Sequence, residues 1–288
     1  MPPHPPTAPI ASQDGLAALA QAGFGWPELV AAWALVALAF GVLWGRQRRT
    51  RNATSVDAAW AAAIGMLGVA AAVLAEGAPV QRWLAGAMAA LWSGRLTLHL
   101  LRDRVFGHAG EDGRYRAMRE HWGAAGDRNF FWFYQAQAIA ALVFALPFLA
   151  IAATPAATPT PLQSLGLGVL VLAQLLEGLA DRQLAAHRHD PSRRHLACRI
   201  GLWRYSRHPN YFFEWISWCG IALLAAPTAG WLAALQPVLM FLLVRFVSGV
   251  PWTELQSLKS RGADYRLYMQ QTSTFLPWWP RRSPGTPS

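Results

Sequence analysis

The chain of 288 residues is 54% hydrophobic and only 14% charged, which is about half the charged share of an average soluble domain. This composition excludes a disordered chain, a disulfide-stapled scaffold and an ordinary soluble enzyme, because a soluble domain of this length needs a more charged surface. The formal net charge of +10 would suggest nucleic acid as the partner of a soluble protein. The positions of the charges indicate a membrane protein instead.

The hydropathy pattern predicts the transmembrane helices. A bilayer core about 30 Å thick is crossed by a helix of about 20 apolar residues. We expect such helices over residues 27–45, 56–76, 82–101, 130–153, 163–181, 211–228 and 231–250. The sequence therefore predicts an all-α, polytopic membrane helix bundle with seven transmembrane helices.

The basic residues predict the orientation of this bundle. Of the 25 Lys and Arg residues, 22 lie in alternate connections and in the C-terminal segment, at 46–55, 102–129, 181–210 and 251–288. The segments 1–26, 77–81, 154–162 and 229–230 contain none. Because short basic loops stay on the cytoplasmic side, we expect the N-terminus outside and the C-terminus in the cytoplasm. These basic clusters adjoin the membrane, so no nucleic-acid partner is predicted.

The ends of the chain differ in composition from the apolar region. Residues 1–26 are Pro-rich and lack the basic segment of a signal peptide, so we expect a disordered tail. Residues 27–280 are expected to form one membrane domain, and residues 281–288 a second disordered tail.

Ionisable residues inside the predicted spans are functional candidates, because the bilayer strongly disfavours charge. They are Asp57, Arg95, His99, Glu177, Asp181, Glu214 and Arg245. Each lies within about six residues, or roughly 9 Å, of the cytoplasmic end of its span, which predicts a polar cavity open to the cytoplasm. The alternatives are long Arg side chains that reach the interface and hydrogen bonds between helices without any ligand. Gln174, Glu177, Asp181 and Arg188 share one helix face.

The segment GLWRYSRHPNYFFEW, residues 201–215, predicts an anion site. Pro209 and Asn210 end one element and begin a membrane helix, with Asn210 as the expected N-cap. A helix N-terminus beside cations binds anions. The alternative is that the arginines only determine topology. The polar residues of this segment are Arg204, Tyr205, Arg207, His208, Asn210 and Glu214.

The histidines and cysteines do not predict a metal site. His187, His189 and His195 lie among arginines that would repel a cation, and no cysteine or carboxylate completes a ligand set. Cys198 and Cys219 are too few for a disulfide framework.

The C-terminal segment is amphipathic and aromatic. Tyr265 and Tyr268 lie one helical turn apart, and Phe275, Trp278 and Trp279 follow. Aromatic rings prefer the membrane interface. The pattern is typical of a lid that folds back over a cytoplasmic cavity, or of a plain interfacial anchor.

Four blocks carry a resemblance to a known family: SVDAAWA, LWSGRLTLHLLRDRVFGHAGEDGRYRAMREHWG, LEGLADRQLAAHR with GLWRYSRHPNYFFEW, and the tail from residue 248. The chain resembles the steroid 5-alpha-reductase family, in particular its bacterial branch of unassigned substrate. The resemblance implies a multi-pass protein of the bacterial inner membrane, an oxidoreductase that holds NADPH in a cytoplasm-facing cavity. Such enzymes reduce the carbon–carbon double bond of an enone in a lipid or sterol-like substrate.

The resemblance also implies roles for individual residues. The steroid enzymes hold the substrate ketone with a Glu and a Tyr; here Asp57 lies near the Glu position and Trp92 occupies the Tyr position. Trp92 has no phenolic proton, and His99 could substitute for it. Glu177 stands where the steroid enzymes have an amide. The expected cofactor-binding residues are, by resemblance, Arg104, Asp181, Arg188, Tyr205, Asn210 and Glu214, with Glu177, Arg204, Arg207, His208, Tyr265 and Tyr268 beside them.

Reduction of an enone places negative charge on its oxygen, and a proton donor aimed at that oxygen lowers the barrier. Asp57 can serve only if burial keeps it protonated. Two other functions stay open: an S-adenosylmethionine-dependent membrane methyltransferase of isoprenylcysteine carboxyl methyltransferase type, which shares a similar His-Pro and Glu block, and a non-enzymatic lipid-binding membrane protein. Membrane lipid and a lipid-soluble substrate are the expected partners, and the sequence predicts no oligomeric state.

Overall fold

The computed structural model describes residues 25–107 and 110–281, and this part of the chain is helical without strands. The two predicted disordered tails lie largely outside it. Nine α-helices follow one another: α1 Trp26–Thr50, α2 Val56–Leu74, α3 Pro79–Leu100, α4 Gly113–Trp122, α5 Gly126–Ala152, α6 Pro161–His189, α7 Pro209–Ala229, α8 Leu235–Leu242 and α9 Val250–Gln271. The predicted all-α class is confirmed for these residues.

Proline defines where several of these helices begin. Its fixed φ suits the first turn of a helix, where an N–H has no intrahelical partner. The prolines in first turns are Pro27, Pro79, Pro161, Pro209 and Pro251. Short 3-10 segments, Gly123–Ala125, Gly201–Arg204 and Gly230–Ala234, and two π-helical turns, Leu101–Val105 and Leu243–Val247, join or extend the helices.

The predicted spans coincide with helical segments. Five helical runs of the described chain are long and apolar enough to cross a membrane: Trp26–Thr50, Val56–Leu74, Gly113–Ala152, Pro161–His189 and Pro209–Gln271. The third predicted span is helix α3, which is absent from these five because Arg82, Arg95 and other polar residues lower its hydropathy. The sixth and seventh predicted spans lie together in the run Pro209–Gln271.

The chain divides into two compact units. Among the described residues, unit 1 comprises residues 25–107, 110–160 and 225–233, and unit 2 comprises residues 161–224 and 234–281. In unit 1, helices α2 and α3 pack closely because Gly65 leaves room for Ser93, whose hydroxyl donates to the Ala61 carbonyl at 2.8 Å. Helix α5 fills the interior of this unit with fully buried aromatic residues, among them Phe130 and Phe144.

Unit 2 is built on an equally close contact between α6 and α7. A Cβ added to Gly166 would lie 2.8 Å from the Gly220 carbonyl oxygen, and one added to Gly220 would lie 2.8 Å from that of Gly166. Only glycine fits at both positions. This contact brings the polar residues further along the two helices within hydrogen-bonding distance.

Candidate functional site

In unit 1, Asp57 is the centre of a charged cluster. It lies in the first turn of α2, where a carboxylate is favoured by the helix dipole. Its Oδ2 atom pairs with Arg114 Nη2 at 2.6 Å and with Arg104 Nη1 at 3.0 Å, while Tyr115 donates its hydroxyl to Oδ1 at 2.5 Å. The structure thus brings Asp57 and Arg104, both predicted site residues, into direct contact.

These contacts favour the ionised form of Asp57. Two guanidinium groups and a phenol donate to its oxygens, and all three interactions strengthen when the carboxylate is charged. A protonated Asp57 would lose both ion pairs. The geometry therefore supports a fixed carboxylate that orients Arg104, Arg114 and Tyr115, and it disfavours the protonated acid that proton donation would need.

A second ionic cluster docks helix α4 onto its neighbours. Glu111 accepts from Arg119 Nη2 at 2.7 Å and from the Ala53 backbone N–H at 2.9 Å. Arg119 also donates to the buried Gln47 at 3.0 Å. These bonds hold Glu111, just before α4, against Ala53, which lies three residues before α2.

Asp112, beside Glu111, caps helix α4 by accepting from the Arg114 backbone N–H at 2.9 Å. Burial acts to raise the pKa of Asp112, but the Arg114 guanidinium outweighs it and holds that pKa below the usual range. An Asp directly before a helix is a capping signal, and this signal could have identified Asp112 from the sequence. Nothing in the sequence indicated that Arg114, Tyr115 and Arg119 would reach α1 and α2.

The other two predicted catalytic residues lie on α3. Trp92 is fully buried and packs edge-on against Trp60 of α2, with ring centroids 6.3 Å apart. Trp60 is one turn from Asp57, so the structure places Trp92 near the Asp57 cluster. His99, two turns after Trp92, is half-buried on α3.

In unit 2, polar residues of α6 and α7 face one another inside otherwise apolar helices. Asn210 donates its amide to Asp181 at 3.1 Å, and Gln174 donates to Ser217 at 2.8 Å and to Glu177 at 3.3 Å. The predicted stripe on α6 therefore meets a matching stripe on α7. We name these residues, with Glu214, the facing stripes of unit 2.

The two acids deepest in the facing stripes are buried. Glu177 is 5% exposed and Glu214 is 7% exposed. Glu214 accepts from the Trp218 indole N–H, one turn along α7, at 2.9 Å. Asn210 is the second residue of α7 rather than its N-cap, because the helix begins at Pro209. Its side-chain amide N–H donates to Asp181 on the neighbouring helix α6.

Arg207 is a buried anchor for the C-terminal segment. Its Nε and Nη2 atoms contact Glu254 Oε1 at 2.8 and 2.6 Å. Nη1 donates to the carbonyl oxygens of Met269 and Thr272 at 2.9 and 2.7 Å, and Nη2 donates to Thr274 at 2.9 Å. All five N–H groups of the guanidinium are therefore engaged within the protein.

His208 adjoins the same carboxylate. Its Nε2 atom lies 3.4 Å from Glu254, and its ring stacks on Tyr211 at 5.5 Å. Burial lowers the pKa of His208, and the neighbouring Glu254 opposes that shift without reversing it.

We name residues 272–281 the strap. The Ser206 hydroxyl donates to Phe275 O at 2.8 Å, Arg207 N donates to Ser273 O at 2.8 Å, and Trp278 N donates to Tyr205 O at 2.9 Å. These bonds lay the strap alongside residues 205–207.

The three tyrosines predicted as site residues pack against the strap or lie on helix α9, which precedes it. Tyr205 packs edge-on against Trp279. The buried Tyr268 donates to the Trp203 carbonyl oxygen and packs against Tyr265. The amphipathic C-terminal segment therefore folds back on unit 2.

The remaining predicted cations differ from Arg207 in exposure. Arg188 at the end of α6 and Arg204 before α7 both expose their side chains. The charge of Arg188 also repels that of Arg261 on α9. In residues 25–107 and 110–281, no three His, Cys, Asp or Glu side chains gather as metal ligands.

Comparison with known proteins defines the class of protein. A family model described as "Protein of unknown function (DUF1295)" matches residues 43–272. The chain therefore belongs to this family, which is a steroid 5-alpha-reductase-like family. No curated protein and no solved structure matches the chain significantly.

Proposed function

We propose that the protein is an integral membrane oxidoreductase that uses NADPH to reduce a carbon–carbon double bond in a lipid-soluble, enone-like substrate. The observation that carries this proposal is the pair of facing stripes in unit 2. Buried acids and amides on two apolar helices are costly without polar partners. Their position in a steroid 5-alpha-reductase-like family makes a nicotinamide cofactor the ligand that explains them best.

The donor and acceptor groups of unit 2 fit such a cofactor. Asp181 offers carboxylate oxygens that accept hydrogen bonds from ribose hydroxyls, and the buried Glu214 suits a carboxamide N–H. Arg188, Arg204 and Arg261 supply positive charge for phosphates. An anion beside Arg188 and Arg261 would also relieve their mutual repulsion. Arg207 does not belong to this set, because its donors are already used.

NADPH would supply the hydride when bound, and the residues of this chain bind and orient it. The Asp181–Asn210 hydrogen bond fixes the rotamers of both side chains, so the stripe is organised before ligand arrives. The buried surroundings of Glu177 and Glu214 exclude water and strengthen their hydrogen bonds.

The proposed topology has seven spans, an outside N-terminus and a cytoplasmic cofactor site. Its support is the placement of 22 of the 25 cations in alternate connections and in the C-terminal segment. A reporter fused after Ser288 should be active only in its cytoplasmic form. Periplasmic activity of that fusion would contradict the topology.

The proton donor is proposed to be a residue other than Asp57. Asp57 acts as a fixed anion within its ion pairs, and Trp92 has no acidic proton. His99 is the remaining candidate of the three residues proposed for the chemistry.

The decisive experiment is cofactor binding by the purified full-length protein. Arg188→Ala should weaken NADPH binding by about tenfold or more while affecting NADH less, because a lost charge-assisted pair costs about 1.5–3 kcal/mol. The matched control is Arg182→Ala, which removes an exposed cation from the same helix. Binding of S-adenosylmethionine without binding of NADPH would contradict the reductase proposal and support a methyltransferase.

A further inference from the structure

The strap of unit 2 lines an open cavity that the proposed reduction does not use. Its volume is about 310 Å³, and its lining comes from Arg207, Met269, Gln270, Gln271 and from the strap itself. This volume lies at the lower end of the range for ligand pockets. The cavity therefore suits a group the size of a lipid headgroup.

The lining residues are mostly polar, and none of them is acidic. Thr272, Ser273 and Thr274 have hydroxyls, Trp278 and Trp279 have indole N–H groups, and the two glutamines have amides, all of which can donate hydrogen bonds. Thr274 accepts its hydrogen bond from Arg207, so its own hydroxyl proton stays available. A surface rich in donors and without acids favours an acceptor-rich anion.

The two arginines of the lining differ in whether an acidic side chain balances their charge. Arg207 is neutralised by Glu254 at 2.6 Å. Arg281 exposes its side chain, and no hydrogen bond or ion pair involves its guanidinium within the part of the chain that the structure describes. The cavity thus carries one positive charge that is open to a ligand.

The exposed aromatic residues beside the cavity favour a position at the membrane surface. Trp278 and Trp279 are 71% and 72% exposed, and Leu276 between Phe275 and Pro277 is also exposed. Exposed indoles beside apolar side chains partition to the level of lipid headgroups. Phospholipids supply phosphate groups at that level.

We propose that this cavity binds the phosphodiester headgroup of an anionic phospholipid, with Arg281 as its cation and the strap hydroxyls and indoles as its donors. The lining shares no residue with the facing stripes, and the proposal does not depend on the cofactor. Lipid bound there would hold the strap against the membrane surface.

The test is lipid retention by the full-length protein without nucleotide, measured by native mass spectrometry with phosphatidylglycerol and, separately, with phosphatidylcholine. Wild type should retain phosphatidylglycerol preferentially. Arg281→Gln combined with Arg282→Gln, which removes the adjacent cation in the sequence, should lower retention about tenfold or more. Arg266→Gln combined with Lys259→Gln, exposed cations of α9 outside the lining, should leave retention unchanged.

Three results would overturn the proposal. Equal retention by wild type and the arginine double variant would show that the cavity does not select the lipid. Displacement of the lipid by inorganic phosphate at similar concentration would assign the site to free anions. Displacement by NADPH would make the cavity part of the cofactor site. Failure of the reductase proposal would appear instead as absent NADPH binding with lipid retention intact.

Discussion

Replacement of Arg207 tests whether this arginine stabilises the fold or binds the cofactor. Arg207 is 6% exposed, and Arg207→Gln removes an ion pair to Glu254, two bonds to backbone carbonyls and one bond to Thr274. Breaking a buried pair by removing one partner costs about 3–5 kcal/mol, because the other charge stays behind. We therefore expect the free energy of unfolding without cofactor to fall by about that amount. Arg207→Lys should recover only part of it, since an ammonium cannot reproduce the planar fork.

Thermal unfolding and hydrogen exchange measure this prediction together. In Arg207→Gln, residues 272–281 should exchange faster than in wild type, because the strap loses its anchor. The matched control is Arg204→Gln, an exposed cation three residues earlier, which should change stability by less than about 0.5 kcal/mol. Unchanged stability and exchange in Arg207→Gln, with lost NADPH affinity, would refute the reasoning and assign Arg207 to the cofactor.

Three further predictions follow from other contacts. Asp57→Asn should destabilise the protein by about 3–5 kcal/mol in thermal unfolding, since Arg104 and Arg114 lose their carboxylate. The control Asp127→Asn, which removes exposed ion pairs, should cost less than about 1 kcal/mol. Equal effects of the two substitutions would contradict the role of Asp57. The pKa of His208 is lowered in the folded protein, so its contribution to stability is complete above the unfolded pKa of about 6.5 and is lost as pH falls through the folded pKa. His208→Gln should therefore reduce the loss of thermal stability below pH 6.5. An unchanged pH profile of thermal stability would contradict this prediction. Gly220→Val should disrupt the α6–α7 contact and lower stability, while Gly168→Ala, with open space around it, should not; tolerance of both would show that the helices can separate.

The sequence predicted the helical segments and one polar stripe well because both depend on periodicity. Each predicted span overlaps a helical segment, since apolar runs of this length are stable as helices in lipid. The spacing of Gln174, Glu177 and Asp181 placed them on one face of α6 without reference to any other element. The hydrogen bonds of that face with Asn210 and Ser217 follow from the packing of two helices at Gly166 and Gly220.

The contacts of Asp57 could not be predicted in the same way. Arg114 and Tyr115 lie 57 and 58 residues away in the sequence, and a spacing of that size has no periodic signature. From the sequence alone, every basic residue near the membrane is the same topology signal. Whether a given guanidinium is paired or exposed depends on its tertiary contacts, which are known only from the folded structure.

The distribution of paired and exposed arginines determines where an anionic ligand can bind. In unit 1, Arg104, Arg114 and Arg119 each form an ion pair or hydrogen bond with Asp57 or Glu111, so their charges are largely balanced by acids of the same unit. In unit 2, Arg207 is balanced by Glu254, while Arg204 and Arg281 are exposed and the charge of Arg188 repels that of Arg261. An incoming phosphate gains most where cations have no acid beside them, because it replaces no existing ion pair. Arg281, whose side chain is exposed, is therefore better placed to hold a lipid phosphate than the buried Arg207, whose charge is already balanced by Glu254.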